Sequence, residues 1–395
     1  MRPDDDPQAL NARGVRALDA GDPATAVPLF ARAVSVDPAA PPLWLNLAKA
    51  QRQLGDNEGE RQSLDRALAL DPLHFMALVR KAELLERLGE RPEASKTWSG
   101  ALAVAPQAQH LPPPLAARLA EAEKFVAEHT RAFGAAIDAG LAEARSQVDP
   151  RALRRFDAAV DTAVGRRRVY ANECAGVHFP FLPADEFFDR DHFPWLAEIE
   201  AATPAIQAEI EALLREGAAG FAPYVAMDPG TPENKWTPLD NSMAWSSYYL
   251  WKYGEPVEPA LARCPATAAA LARLPRADLP GRAPTAFFSV LKPRTRIPPH
   301  TGVSNTRTII HLPLIVPPGC GFRVGGETRD WKIGTAFAFD DTIEHEAWND
   351  SDELRAVLIF DVWNPHITEV ERDMLRAFFR TADASGFDPN PREAG

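Results

Sequence analysis

The strongest constraint on the fold of this 395-residue chain is a repeat that fills its first third. A glycine, an alanine and a proline each recur at intervals of 34 positions, and larger apolar residues keep the same interval. A fixed period of this length indicates a stack of similar units, in which each unit buries its apolar face against the next. The recurring positions are Gly21, Gly55 and Gly89; Ala33, Ala67 and Ala101; Pro38, Pro72 and Pro106; and Phe30, Leu64 and Trp98.

Each recurring residue type suits a helix–turn–helix unit. The glycines fall where a first helix must end in a sharp turn, which often needs a positive φ. The alanines allow two helices to approach closely. The prolines fall between units, because a missing N–H is tolerated at the start of a helix. The interval of 34 residues is the length of a tetratricopeptide repeat, so we predict three such repeats in residues 1–106.

A helical cap and linker is predicted after the repeats, in residues 107–168. A stack of three repeats has an apolar end that needs covering, and segment 115–148 is rich in strong helix formers. Repeat stacks of this kind present a concave groove to an extended peptide or a partner helix. The repeats therefore predict a peptide or protein partner without identifying it.

From about Val169 onward the sequence is rich in prolines, aromatic residues and short β-like runs. Pro, Gly and Asp turns separate these runs, which is typical of a barrel or jelly roll. We therefore predict a two-domain α + β chain, with an α-helical repeat solenoid followed by a β domain in residues 169–395. The predicted strands are Ala286–Leu291, Thr306–Ile315, Gly321–Val324, Thr335–Phe339 and Arg355–Trp363, with a closing helix at Glu369–Thr381.

Two histidines in the β domain form a candidate metal site. His300 lies in IPPHTGVSN and His345 in FDDTIEHEAWND, and each is expected just after a strand. Their separation fits opposite sides of one pocket at the mouth of a barrel. A single histidine is more often structural than metal-ligating, but the pair favours a metal. The neighbouring Asp340 and Asp341 are interpreted as turn residues that orient His345, rather than as a catalytic carboxylate pair.

Polar side chains interrupt the apolar strands of the same domain. Alternation places Arg355 and Asp361 on one face of their strand, and it places Arg307 and His311 together on another. A buried polar group is unfavourable unless a partner satisfies it, and a small dicarboxylate would do so. We therefore predict a cofactor pocket formed by Ser289, Arg307, His311 and Arg355.

Charge and composition exclude several classes of protein. A formal net charge of −12 argues against a nucleic-acid partner. Cys174, Cys264 and Cys320 lie far apart and form no CxxC pair, so neither a disulfide framework nor a structural zinc site is indicated. The first residues, MRPDDDPQAL, lack the apolar segment of a secretory signal, and no stretch approaches the ~18 apolar residues of a membrane helix. We expect a cytoplasmic protein without a membrane partner, and the oligomeric state stays open.

Four longer blocks resemble the aspartyl/asparaginyl β-hydroxylase family, a branch of the 2-oxoglutarate oxygenases. The resemblance runs from about Met243 to Pro365, with the blocks in the family's order, and mammalian members also join tetratricopeptide repeats to this domain. It implies a double-stranded β-helix (jelly-roll, cupin-like) and a dioxygenase that uses Fe(II), 2-oxoglutarate and O2. The blocks are WSSYYLW (Trp245–Trp251), FSVLKPRTRIPPHTGVSNTR (Phe288–Arg307), FDDTIEHEAWND (Phe339–Asp350) and LIFDVWNP (Leu358–Pro365).

The resemblance also implies roles for single residues. His300 and His345 resemble the two iron ligands, and Gly302 matches the family's glycine where wider relatives have a carboxylate ligand. Arg355 and Ser289 resemble the groups that hold the distal carboxylate of 2-oxoglutarate. The implied catalytic set is thus His300, His345 and Arg355.

Two further residues complete the implied site, and one departs from the family. His311 resembles another cosubstrate contact, and Trp245 resembles an aromatic residue on the substrate side. The mammalian motif has a basic residue near the acid group of the substrate, where this chain has Ile309. The departure weakens the case for an aspartyl target and leaves the iron site intact.

The implied reaction is hydroxylation of the β-carbon of an Asp/Asn-type residue in a peptide or protein held partly by the repeat groove. Three alternatives stay open: a hydroxylase of a free amino acid or other small molecule, a non-catalytic repeat scaffold with a degenerate barrel, and a zinc hydrolase or isomerase of the cupin type. The repeats disfavour a small-molecule substrate, because a small molecule needs no repeat groove. The zinc hydrolase or isomerase alternative gives no role to Arg355 and Ser289.

Overall fold

A computed structural model describes residues 6–107 and 111–386 of the chain. The chain divides into two compact units, residues 1–167 and 168–395. The predicted domain limits at residues 1 and 395, and part of the predicted linker at 108–110, lie outside the described residues. The predicted boundaries after residues 106 and 168 stay predictions.

Six helices form three helix–turn–helix pairs in the first unit, as the repeat predicts. Gly21, Gly55 and Gly89 follow the first helix of each pair and have φ values of 76°, 75° and 77°. This left-handed conformation is readily available to glycine, which explains why that residue type recurs there. The helices are α1 (Pro7–Asp19), α2 (Pro23–Val36), α3 (Pro41–Leu54), α4 (Asn57–Leu70), α5 (Phe75–Arg87) and α6 (Arg91–Ala103).

The recurring apolar residues form the core of these pairs. Phe30, Leu64 and Trp98 are fully buried, and so are the recurring alanines. The Phe30 ring packs so closely on Gly14 that a Cβ at that glycine would lie 2.6 Å from the ring. Two more helices complete the unit: α7 (Pro113–Ser146) covers most of the predicted cap, and α8 (Pro150–Ala163) follows it.

The second unit contains eleven described strands in two antiparallel sheets, which confirms its predicted β character. Two strands have the predicted bounds, and the strands that carry His300 and His345 were missed. The predicted double-stranded β-helix stays a prediction. In chain order the strands are β1 (Ala222–Pro223), β2 (Trp245–Lys252), β3 (Glu255–Pro256), β4 (Ala286–Leu291), β5 (Thr295–His300), β6 (Arg307–Ile315), β7 (Cys320–Val324), β8 (Glu327–Arg329), β9 (Phe337–Phe339), β10 (His345–Asn349) and β11 (Arg355–Trp363).

The larger sheet has the order β1-β2-β4-β11-β6-β9, with β3 on the edge of β2, and the smaller has the order β5-β10-β7-β8. Alternation gives the central strands β4, β6 and β11 two different faces. One face carries Phe288, Leu312 and Leu358 into a core closed by helices. The other face carries polar side chains towards a cavity. The closing helices are α9 (Leu196–Ala201), α10 (Thr203–Arg215), α11 (Glu258–Arg263) and α12 (Pro265–Ala272).

The last described helix, α13 (Glu369–Ser385), begins at the predicted residue and extends beyond the predicted end. Thr368 and Glu371 form a reciprocal capping box at its start. Its apolar face places Leu375 and Phe379 against Trp363. Within residues 6–107 and 111–386, we find no helix that is both long enough and apolar enough to span a lipid bilayer.

Candidate active site

The two predicted metal ligands lie side by side in the smaller sheet. His300 is the last residue of β5 and His345 the first of β10, and the two are paired in the strand register. Their ring centroids are 4.0 Å apart. The prediction that each histidine follows a strand, on opposite sides of a pocket, is therefore wrong. Cross-strand pairing places the two histidines directly next to each other.

Backbone carbonyls fix the tautomer of both histidines. The Nδ1 atom of His300 lies 2.8 Å from the carbonyl oxygen of Pro298, and that of His345 lies 3.0 Å from the carbonyl oxygen of Ile343. A carbonyl oxygen only accepts, so each Nδ1 carries the proton and each Nε2 lone pair is available to a metal. Burial lowers the pKa of His300 to about 4 and that of His345 well below its ordinary value. Both imidazoles are therefore in the neutral form that binds metal ions.

Asp341 lies where a side chain at position 302 would otherwise be. The Gly302 N–H donates to the Asp341 carbonyl oxygen at 2.6 Å. A Cβ at Gly302 would overlap the Asp341 carboxylate. Asp340 accepts from the Thr342 N–H at 3.0 Å in the turn before His345, and the Ile343 carbonyl contacts the His345 ring. The interpretation of the two aspartates as turn residues that orient His345 stays a prediction. Within the described part of the chain, no group of three His, Cys, Asp or Glu residues is arranged to hold a metal ion.

Arg355 supplies a buried positive charge beside this site. Its side chain is only 1% exposed, and its Nη2 lies 3.5 Å from the Ser289 hydroxyl. Its Nε and Nη1 have no hydrogen-bond partner among the described residues. Burial lowers the pKa of Arg355 to about 10. A buried guanidinium with two unused donors is a strong indication that an anion binds here.

Ser289 and His311, predicted with Arg355 in one pocket, lie near it, and Trp245, predicted on the substrate side, contacts Ser289. The Trp245 Nε1–H donates to the Ser289 hydroxyl at 3.1 Å. The Nδ1 of His311 has no partner among the residues that the structure describes, and burial lowers its pKa well below the ordinary value. The His311 ring stacks on Trp331 at 5.6 Å between centroids, and the same indole lies 5.1 Å from the Arg355 guanidinium carbon. Trp331 thus packs against both His311 and Arg355.

Arg307 lies apart from this group. It donates to Asp361 at 2.7 Å, in a buried ion pair. It is paired in register with Trp363, eight residues along β11 from Arg355, or about 26 Å of extended strand. Of the four residues predicted to form one cofactor pocket, three therefore lie together, and Arg307 lies apart in an ion pair with Asp361.

One cavity of about 440 Å³ is lined by both histidines, by Arg355 and its neighbours and by the ion pair: His300, His345, Arg355, Ser289, His311, Trp245, Arg307 and Asp361. Aromatic rings form much of its wall, and Tyr224 stacks on Trp245 with centroids 3.9 Å apart. The Trp236 ring lies 5.0 Å from His300. Tyr224 and Trp236 were not predicted as site residues, because they precede the predicted strands and carry no periodic signal.

Comparison with known proteins gives this arrangement a family. Residues 200–365 match the family model "Aspartyl/Asparaginyl beta-hydroxylase", and residues 11–75 match the tetratricopeptide repeat model. The chain carries an aspartyl/asparaginyl β-hydroxylase domain together with tetratricopeptide repeats. Every residue of the site described above, except Ala175 on the cavity wall, lies in the matched range 200–365.

Relatives of this β-hydroxylase domain carry different names. The chain is 35% identical to the ornithine lipid ester-linked acyl 2-hydroxylase of Rhizobium tropici, over 45% of this chain and 60% of that protein. It is 38% identical to mouse aspartyl/asparaginyl β-hydroxylase over 34% of this chain and 18% of that protein. It is 31% identical to human aspartate β-hydroxylase domain-containing protein 2 over 51% of this chain and 53% of that protein. The chain therefore spans less than two thirds of each of these relatives.

The second unit also holds the turns next to His300 and His345 with a segment that precedes the family match. In segment 172–179, Glu173 N–H donates to the Thr342 carbonyl and Gly176 N–H to the Val303 carbonyl, both at 2.8 Å. The Asn172 amide donates to the Asp340 carboxylate at 2.7 Å. These bonds tie the turn after His300 to the turn before His345. Sequence reasoning missed this segment because its contacts cross more than 120 residues.

Proposed function

We propose that the chain is an Fe(II)- and 2-oxoglutarate-dependent dioxygenase that hydroxylates a side chain of a peptide or protein. The observation that carries the proposal is the buried Arg355 guanidinium, with two unused donors, beside two neutral histidines. These residues fit a dianionic cosubstrate and a metal ion in one cavity, and the family match supports hydroxylase chemistry.

His300 and His345 would hold Fe(II) through their Nε2 atoms, because both Nδ1 atoms already donate to carbonyl oxygens. Asp341 stands beside them as the nearest carboxylate on the cavity wall. When bound, the metal and cosubstrate supply the oxidation: one atom of O2 enters a substrate C–H bond, and the other enters succinate as CO2 is released.

Arg355, Ser289 and His311 would hold the distal carboxylate of 2-oxoglutarate. The guanidinium presents its Nε and Nη1 donors, and the Ser289 hydroxyl lies beside its third nitrogen. Trp245 fixes the Ser289 hydroxyl through its indole N–H. Aromatic walls exclude water, which strengthens each of these charge-assisted bonds. On this proposal, the two facing sheets belong to a double-stranded β-helix.

The repeats support a peptide or protein substrate, since such units bind extended peptides and helices. The mouse aspartyl/asparaginyl β-hydroxylase supports the same class of substrate. The name of the Rhizobium tropici relative instead favours an acyl chain, which is a second candidate. Cytoplasmic location and the absence of nucleic-acid or membrane partners stay predictions.

The test is succinate formation by the anaerobically purified protein, given Fe(II), 2-oxoglutarate, ascorbate and O2. We expect slow succinate release by the wild type and none by His345→Ala. Arg355→Ala should weaken 2-oxoglutarate binding by at least about 100-fold, because two charge-assisted hydrogen bonds are lost. Arg294→Ala is the matched control, since Arg294 is an exposed arginine paired with Asp352 at 2.7 Å.

Calorimetric titration with 2-oxoglutarate, run on the same samples, separates binding from turnover. A wild type that neither binds 2-oxoglutarate nor forms succinate would contradict the proposal and favour the repeat scaffold. Metal analysis after anaerobic reconstitution tests the zinc alternative, because a hydrolase or isomerase of that type would retain zinc and show no succinate.

A further inference from the structure

We infer that the side chain oxidised in this site is uncharged and aliphatic, and that Phe287 and Ile309 select it. The inference rests on the proposed function and names its substrate class. It follows from the order of residues along the cavity face of β11, from the charges that line the cavity, and from the length of its apolar patch.

The strand register gives the order of residues along the cavity. On β11, Arg355 comes first, and Val357, paired with Ser289 of β4, comes next. These positions belong to the cosubstrate end. The following position, Ile359, is paired with Phe287 of β4 and His311 of β6. At this position the cavity face therefore carries apolar side chains on β11 and β4, beside His311 on β6.

Asp361 occupies the next inward position on β11 and is paired with Ile309. Ile309 and Ile359 are half-buried, and both line the cavity. Phe287 is buried and packs against Tyr224 with ring centroids 5.5 Å apart. Phe287, Ile309 and Ile359 thus form one apolar patch between the cosubstrate end and Asp361.

The described residues of the cavity wall offer no cation that could pair with the anionic group of a substrate. Of the described residues on the cavity wall, the cations are Arg307 and Arg355. Arg307 is paired with Asp361, and Arg355 faces the cosubstrate end. Lys235 is exposed outside the lining and donates to the Pro299 carbonyl at 2.8 Å. A substrate carboxylate would lose its water against the apolar patch without gaining a cation, which is unfavourable.

The patch is too short for a long acyl chain. From Ile359 to Asp361 the strand advances two residues, or about 7 Å, before the buried Arg307–Asp361 pair. An acyl chain would have to run past that ion pair. An aliphatic side chain of a peptide is short enough to fill the patch without passing that ion pair.

The experiment offers the full-length protein four pools of ten-residue peptides that differ at one central position, which is Leu, Val, Asn or Asp. Flanking positions are degenerate in Ala, Gly, Ser and Lys. Each pool is incubated with Fe(II), 2-oxoglutarate, ascorbate and O2, and a mass gain of about 16 Da is quantified. His345→Ala reports the non-enzymatic background. We expect at least ten-fold more product from the Leu or Val pool than from the Asp pool.

Two variants test the role of the patch. Ile309→Arg adds a cation, and we expect the Asp-to-Leu product ratio to rise at least ten-fold. Ile309→Met conserves volume and polarity, so the wild-type preference should remain. The 2-oxoglutarate affinity of each variant reports whether the cosubstrate end is intact.

Succinate release without peptide, together with 2-oxoglutarate binding, tests the proposed function separately. If both are present, product formation mainly from the Asp or Asn pool would overturn the inference. Product in none of the pools would also overturn it. Vesicles of a diacyl phosphatidylcholine form a fifth arm, and a gain of about 16 Da on the acyl chains alone would overturn the peptide assignment.

Discussion

At the scale of single residues, the site depends on hydrogen bonds that occupy one ring nitrogen of each histidine and leave the other ring nitrogen unused. The carbonyls of Pro298 and Ile343 accept hydrogen bonds from the Nδ1–H groups of His300 and His345, which leaves the lone pair of each Nε2 available. A hydrogen bond also orients a hydroxyl in the same cavity, because the Trp245 indole N–H donates to the Ser289 hydroxyl. Trp245 is therefore a positioning residue for Ser289, besides the substrate contact implied by the family resemblance.

Trp245→Phe tests this positioning role. Phenylalanine keeps an aromatic ring against Tyr224 but cannot donate to Ser289. A neutral hydrogen bond contributes about 0.5–1.5 kcal/mol, so the KM for 2-oxoglutarate should rise about 2- to 10-fold while kcat stays nearly constant. Trp251→Phe, on the same strand, is the control, because Trp251 packs against the helical core. A fall in kcat at constant KM would contradict the role.

At the scale of secondary structure, helix α13 shows how a local signal stabilises the second unit. Thr368 accepts from the Glu371 N–H, and its own N–H donates to the Glu371 carboxylate at 2.8 Å. The helix then buries Leu375 and Phe379 against Trp363, at the end of β11. The capping box therefore helps to fix the strand that carries Arg355.

Thr368→Ala should lower the free energy of unfolding of the second unit by about 1 kcal/mol, because a side-chain cap is lost. Thermal unfolding followed by near-ultraviolet circular dichroism measures the change. Thr381→Ala is the matched control, since Thr381 is exposed on the same helix and bonds only to the Ala377 carbonyl. Equal destabilisation by both variants would argue against the capping role.

The effect of Thr368→Ala also has a predicted pH dependence. Hydrogen bonds from the Thr368 backbone and side chain lower the pKa of Glu371 below its ordinary value of 4.5. A lowered carboxyl pKa means that the ionised form is preferred in the folded state, so this stabilisation is present above pH 4.5 and lost as the pH falls below it. The difference between wild type and variant should therefore shrink on acidification.

At the scale of the whole molecule, each unit has its own hydrophobic core. Phe30 and Trp98 lie in clusters of the repeat unit, whereas Phe288 and Phe322 lie in clusters of the second unit. The cavity residues all belong to the second unit. Stability of the repeats and cosubstrate binding are thus expected to be separable properties.

Phe30→Ala tests this separation. Removing the fully buried ring should destabilise the repeat unit by about 3–5 kcal/mol through lost burial and a cavity. Hydrogen exchange of repeat-unit peptides should accelerate while the Kd for 2-oxoglutarate stays within two-fold. Phe156→Ala, at a ring that is 48% exposed, should change neither quantity by much. A ten-fold weaker Kd for Phe30→Ala would show that the units are coupled.

The sequence by itself determined the features that depend on local spacing. A period of 34 residues specified the helix pairs, their glycine turns and their buried rings, because each repeat makes the same short-range contacts. Short β-like runs between turn residues specified β4 and β11 to the residue, and alternation put Arg355 on the same face as Asp361. The individual roles of His300, His345 and the cosubstrate group stay predictions that this geometry supports.

Only the tertiary structure decided how distant residues meet. The register between β5 and β10 brings the histidines together, and the turn before His345 puts the Asp341 carboxylate in the space beside Gly302. The same long-range packing turns Arg307 towards Asp361 and away from the cosubstrate group. Strand register and loop packing are set by the sum of many non-local contacts, which the spacing of residues along one chain does not encode.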